Sequence, residues 1–180
     1  MDRIDCWTYH PSANSILAVL CRRLAENPAR IVFNGLRPGR NRIDIRPLAL
    51  RELAVLVQRA RALLAAAGVH TGDRVILALS DPRDFLAWIL GCFSSGLIGV
   101  PIPAPGEMSM PAAFLERARS VLGDCRPAVV LIASRKKWAT AAGSPFAGVP
   151  VLLAKFCEVV LGGQPFGFPF LCRFGLANAL

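Results

Sequence analysis

Residues 75–79, Val-Ile-Leu-Ala-Leu, are apolar at every position and follow directly on a Thr71-Gly72-Asp73 turn. This short run constrains the fold more than any other stretch. A strand with one wet face alternates polar and apolar residues, whereas a strand that is apolar throughout must be covered on both faces. Helices packed on both sides of a parallel sheet provide that cover. The question is therefore whether helices flank this strand.

Upstream, Leu50, Leu53, Val57, Ala60, Leu64 and Ala67 recur at spacings of three and four and form one apolar stripe. Arg51, Glu52, Gln58, Arg59 and Arg61 occupy mostly the other faces. Gly68 follows where a left-handed residue can end the helix. Downstream, Asp81-Pro82 opens a second helix, Phe85 to about Phe93, apolar nearly all round and expected to be buried; Gly96 ends it. A strand over Ile98 to Ile102 leaves through the rigid run PIPAP. A third helix, about Pro111 to Leu122, carries Phe114, Ala118 and Val121 inward. Strands follow at Val129 to Ile132 and Val149 to Leu153, with a shorter helix near Trp138. Before all these, Ser12 can cap a helix running to Glu26 with Ile16, Leu17, Leu20 and Leu24 on one side. Asn27-Pro28 stops it, and Ile31 to Phe33 pairs as a hairpin with Ile43 to Ile45 across LRPGRNR. Strands separated by helices of 10–15 residues imply parallel pairing with right-handed crossovers. The expected class is α/β, a largely parallel sheet flanked by helices.

Composition excludes several functions. At 54% hydrophobic and 18% charged, the chain is not a disordered protein. The net charge of +9 comes from scattered arginines, and no basic cluster interleaves with aromatics as a single-strand binder needs, so no nucleic-acid partner is expected. Six widely spaced cysteines without a C-x-x-C pair, and two histidines, His10 and His70, give zinc no ligand cluster. Residues 85–106 contain no charge, but Ser94-Ser95-Gly96 and Pro101, Pro103 and Pro105 break the run. A buried helix and strand fit it better than a membrane span. The polar start, MDRIDCWTYHPS, is no signal peptide, and the expected location is the cytoplasm.

The stretch LALRELAVLVQRARALLAAAGVHTGDRVILALSDPRDFLAWILGCFSSGLIGVPIPAP resembles the beginning of adenylate-forming, acyl-activating (AMP-binding) enzymes. The matching elements are Arg51-Glu52-Leu53, Gly68-Val69, Gly72-Asp73-Arg74-Val75, the helix opened by Asp84-Phe85, and Val100-Pro101. Residues 115–134 are similar to the family's next helix and strand. The family includes acyl-CoA synthetases and fatty-acyl-AMP ligases, and the Pro-rich exit and the long hairpin lean toward the fatty-acyl-AMP ligase branch. One departure is Ala49, where the family usually caps the helix with Thr or Ser. The resemblance covers about Ser12 to Ala154 and implies an N-terminal subdomain. It implies, for the parent enzyme, ATP and Mg2+ as cofactors, a fatty acid substrate, and CoA or an acyl carrier protein as acceptor.

Catalytic, cofactor-binding and metal-binding residues are expected to be absent from this chain. A triphosphate needs a Gly/Ser/Thr-rich loop with a lysine, because backbone N–H groups and a cation must offset its charge. GSPFAG (143–148) and GGQPFG (162–167) have neither the lysine nor the hydroxyl run and read as loop punctuation. Cys92 with His10 or His70 could be drawn as a thiol dyad, but its helix is the most apolar and an inert core cysteine is expected. Asp81 and Asp84 suit a helix N-terminus rather than an acid/base couple. Asp73 suits turn formation and local capping. From Lys155 onward the pattern changes: five of the ten phenylalanines fall there, with prolines at 165 and 169. The expected organisation is a partial N-terminal adenylate-forming domain over 1–154 and a divergent hydrophobic tail over 155–180. The expected function is that of an N-terminal fragment of an AMP-forming fatty acid ligase, inactive alone. The alternative is a stand-alone binding or interaction module on the same scaffold.

Overall fold

The computed structural model describes residues 15–38, 43–104, 112–133 and 144–154. Its element order is α1 (Ile16–Glu26), β1 (Ile31–Pro38), β2 (Ile43–Ala49), α2 (Leu50–Ala66), β3 (Arg74–Ala78), α3 (Pro82–Ser94), β4 (Ile98–Pro101), α4 (Ala112–Cys125), β5 (Val129–Ile132) and β6 (Val151–Leu153). The hairpin β1–β2 is antiparallel, with Phe33 opposite Leu48 and Leu36 opposite Ile45. The remaining strands form one sheet in the order β4-β3-β5-β6, parallel throughout.

The all-apolar strand is covered on both faces, as its composition requires. Val75, Leu77 and Leu79 pack with Trp88, Cys92, Ala60 and Leu64 on the α2/α3 side. Ile76 and Ala78 pack with Val130, Ile132 and Phe146 on the other side, against Val121, Leu122 and Cys125 of α4. A further apolar layer, built from Leu17 and Leu24 of α1, Leu48 of the hairpin and Leu53 and Val57 of α2, lies over Ala87 and Leu90 of α3. That layer explains why α3 is buried on opposite sides at once. No described helix is long and apolar enough to cross a membrane.

Several expectations shift. The cap of α1 is Ser15, whose Oγ accepts from the Ala18 N–H at 3.1 Å; Ser12 lies outside the described residues. Ile16 points outward, 59% exposed, although Leu17 and Leu24 are buried. The α2 stripe is buried from Leu50 to Leu64, but Ala67 is exposed. Gly68 has φ +73°, as the helix end requires. Phe93 is 40% exposed although Cys92 and Ser94 on either side of it are buried, so the last turn of α3 keeps one face open. Helix α4 continues through Gly123 to Cys125, and Arg126 takes the left-handed φ of +44° before Pro127. Val149 lies in a turn, and its strand begins at Val151. The expected helix near Trp138 and the tail lie outside the described residues, as does the side chain of Phe114.

Candidate functional site

Open parallel sheets bind ligands beyond the carboxyl ends of their strands, where the strand order reverses. Here that point lies between β3, which leads outward to β4, and β5, which leads to β6. After β3 the chain passes through Ser80 to Asp81, the N-cap of α3. Asp81 Oδ1 accepts from the Arg83 N–H at 2.8 Å and the Asp84 N–H at 3.4 Å, and Pro82 takes the first helical position. The carboxylate satisfies helix-terminal donors, so the acidic pair serves the helix end as its position suggests. After β5 the described chain reaches Ala133, and after β6 it reaches Ala154.

Ala154 closes this end of the sheet. Its carbonyl accepts a hydrogen bond from Trp88 Nε1 at 2.7 Å, and both residues are fully buried. The sequence showed Trp88 as buried but gave no sign of this partner, which is 66 positions away. The segment 144–148 is a turn. The Phe146 N–H donates to Ser144 Oγ at 3.1 Å, and the Phe146 ring is driven into the core. The described part of GSPFAG thus anchors its turn to the core through one ring. GGQPFG lies outside the described residues.

The other candidates also resolve into structure. Cys92 is buried, and desolvation pushes its thiol up to about 12. His70 is exposed, so the thiol and imidazole face different surroundings; His10 lies outside the described residues. Asp73 Oδ2 accepts from the His70 backbone N–H at 2.8 Å and lies 3.9 Å from His70 Nδ1, which is local turn bonding. Burial also raises the Cys125 thiol, with Arg74 opposing it. Among the described residues no group of three or more His, Cys, Asp or Glu side chains could hold a metal ion.

The geometry defines a class first: a parallel α/β unit with helices on both faces and an additional α1–hairpin layer. Residues 22–159 match the AMP-binding enzyme family, and the chain belongs to that family. It is 24% identical over 123 residues to the medium-chain-fatty-acid–[acyl-carrier-protein] ligase JamA of Moorena producens (strain JHB), covering 67% of this chain and 20% of that protein. Its fold is similar to that of a fatty acid AMP ligase from Legionella pneumophila, with a TM-score of 0.61 and 22% identity over 76% of this chain and 23% of the other. It is also similar to the N-terminal subdomain of Klebsiella oxytoca NpsA, with a TM-score of 0.57 and 18% identity over 78% of this chain and 30% of the other. The chain thus spans about a fifth of the curated relative it matches and corresponds to its N-terminal part.

Proposed function

We propose that residues 1–154 are the opening part of an AMP-forming fatty acid ligase, and that residues 155–180 are a divergent tail outside that unit. The parent reaction joins a carboxylic acid to ATP, giving acyl-AMP and pyrophosphate. The acyl group then passes to the thiol of CoA or of an acyl carrier protein. The cytoplasm is the compartment for such an enzyme. The family match over 22–159 carries this reading, because it starts within α1, takes in every later element through β6 and ends five residues past the proposed division.

Within that reading the chain supplies scaffold. Its buried side chains shape the sheet and helices, and its charged groups cap turns. Among the described residues no lysine stands in a phosphate loop, and no group there is placed to stabilise an acyl-phosphate anion. Residues 1–180 alone should therefore show no ATP–pyrophosphate exchange with fatty acids of any chain length. Exchange well above a heat-killed control would overturn that statement. The parent reading is tested in the coding DNA, translated in all three frames around codon 155 and past codon 180. A Gly/Ser/Thr-rich segment ending in Pro-Lys is expected; its absence from every frame counts against the reading.

A further inference from the structure

Beyond its base the β1–β2 hairpin is an amphipathic ribbon. Side chains alternate faces along a strand. Phe33 and its cross-strand partner Leu48 turn toward the core, where Leu48 is fully buried. Asn34 opposite Pro47, and Leu36 opposite Ile45, therefore occupy the other face. Leu36 is 66% exposed and Ile45 64%, the two most exposed large hydrophobics among the described residues. Arg46, two positions from Leu48 and on its face, is exposed as well, so both faces of the ribbon leave the body of the protein there. A two-stranded ribbon gains little stability by itself, and an apolar cross-strand pair held out in water marks a contact surface.

The charge around the ribbon is of one sign. The arginines look scattered along the sequence, yet residues 22–51 hold eight of them against Glu26 and Asp44, which is six of the chain's nine net positive charges. Arg22 of α1, Arg30 before β1, Arg46 of β2 and Arg51 of α2 are all exposed. They belong to one layer of the fold. The Leu50 and Arg51 amides donate to the Arg30 and Pro28 carbonyls at 2.9 and 3.0 Å, and α1, the hairpin and α2 share one apolar cluster.

We propose that the β1–β2 ribbon docks this protein on an anionic lipid surface. Leu36, Ile45 and Pro47 enter the boundary between headgroups and acyl chains, and the long side chains of Arg30 and Arg46 reach the lipid phosphates. Guanidinium groups suit that role, because their forked donors match phosphate oxygens. The cytoplasmic leaflet carries the negative charge that such a cluster attracts. The choice of a lipid surface rests on the functional reading above: a fatty acid partitions into bilayers, and a ligase seated on one meets its substrate there. A second copy fits worse, because two such faces would bring like charges together. A single-stranded nucleic acid fits worse too, since its bases need aromatic platforms and positions 34, 36, 45 and 47 supply none.

The test sediments the full 180-residue chain with vesicles of phosphatidylcholine and phosphatidylglycerol in equal parts, and with vesicles of phosphatidylcholine alone. The chain should bind the anionic vesicles and be released as NaCl is raised. Leu36→Ser with Ile45→Ser, and separately Arg30→Glu with Arg46→Glu, should each weaken that binding at least about tenfold while Tm holds. Should either pair lower Tm, a second readout decides. A chain carrying Leu36→Trp, Trp7→Phe and Trp138→Phe should be quenched by brominated phosphatidylcholine in the anionic vesicles. The same chain with Leu36 retained should not, since Trp88 is fully buried. The proposal is overturned if the anionic vesicles do not bind the chain, if both vesicle types bind it alike, or if the ribbon variants bind as well as the parent. It is also overturned if the chain takes up poly-glutamate but no vesicle, which would assign the surface to an acidic protein, or if the serine variants instead abolish a dimer of this chain. No acyl transfer is read, so any of these results beside a ligase-like continuation in the DNA would sink the docking surface and leave the functional reading standing.

Discussion

Cys92 shows how position overrides a reactive side chain. Its thiol lies under β3 with Trp88 and Leu97, and loss of water alone lifts it from 9.0 to about 12. The native protein should resist alkylation at Cys92 at pH 8 while the urea-unfolded chain reacts; equal labelling of both would contradict the burial. The same shift sets a pH dependence. The folded thiol holds its proton above the unfolded value, so its contribution is complete below pH 9 and is lost as pH rises toward 12. Within that window stability should fall by up to about 1.4 kcal/mol per pH unit from this group. Urea unfolding from pH 8.5 to 10.5 should show a shallower slope in Cys92→Ala than in the parent. Trp88 is the second buried reporter. A variant retaining only this tryptophan should emit in the blue with weak iodide quenching, and water-like emission from folded protein would contradict its place under the sheet. Trp88→Phe leaves the Ala154 carbonyl without its indole donor and should cost about 1–3 kcal/mol.

Helix α2 lacks a capping side chain but is not left uncapped. Ala49 has no acceptor to offer, so the Glu52 carboxylate at the third helical position accepts from the Ala49 N–H at 3.0 Å. The Leu50 and Arg51 amides donate to the Arg30 and Pro28 carbonyls at 2.9 and 3.0 Å. Ala49→Ser should add the missing half of the capping box and raise stability by about 0.5–1 kcal/mol; no gain in urea denaturation would show that the loop carbonyls already suffice. Helix α3 meets α2 at Gly91, where an added Cβ would stand 2.7 Å from Ala60 Cβ. Gly91→Ala should cost about 1–3 kcal/mol through overpacking, despite its better helix propensity. The same denaturation experiment checks it, and Ala60→Gly should recover part of the loss. Element types were legible because α2 and β3 carry unmistakable periods, 3.6 and fully apolar. Ends were less legible where tertiary contacts decide them. The end of α4 passes Gly123 and waits for Arg126, and Phe146 enters the core from a stretch with no period at all. The Trp88–Ala154 bond was not legible, since nothing local links positions so far apart.

At the scale of the whole molecule, Ala154 is held from two sides. Its amide donates to Ile132 O at 2.8 Å and its carbonyl accepts from Trp88, so the last described residue is tied both to the sheet and to the helix beneath it. A unit whose local and long-range signals agree through residue 154 is a foldable one. Residues 156–180 carry Phe166, Phe168, Phe170 and Phe174 with little charge and no helical period. An apolar segment of that kind is an aggregation liability unless a partner surface takes it up. Deleting residues 156–180 should therefore leave cooperative unfolding intact, with Tm within a few degrees of the parent, and should raise soluble yield. Deleting from residue 154 instead removes both Ala154 bonds and should lower Tm by about 2–4 °C per kcal/mol lost, the scaling for a domain of this size. The two truncations bracket the boundary: equal Tm values would mean that Ala154 contributes nothing. Loss of cooperative unfolding in 1–155 would place the tail in the core, and the proposed division at 154 would fall with it.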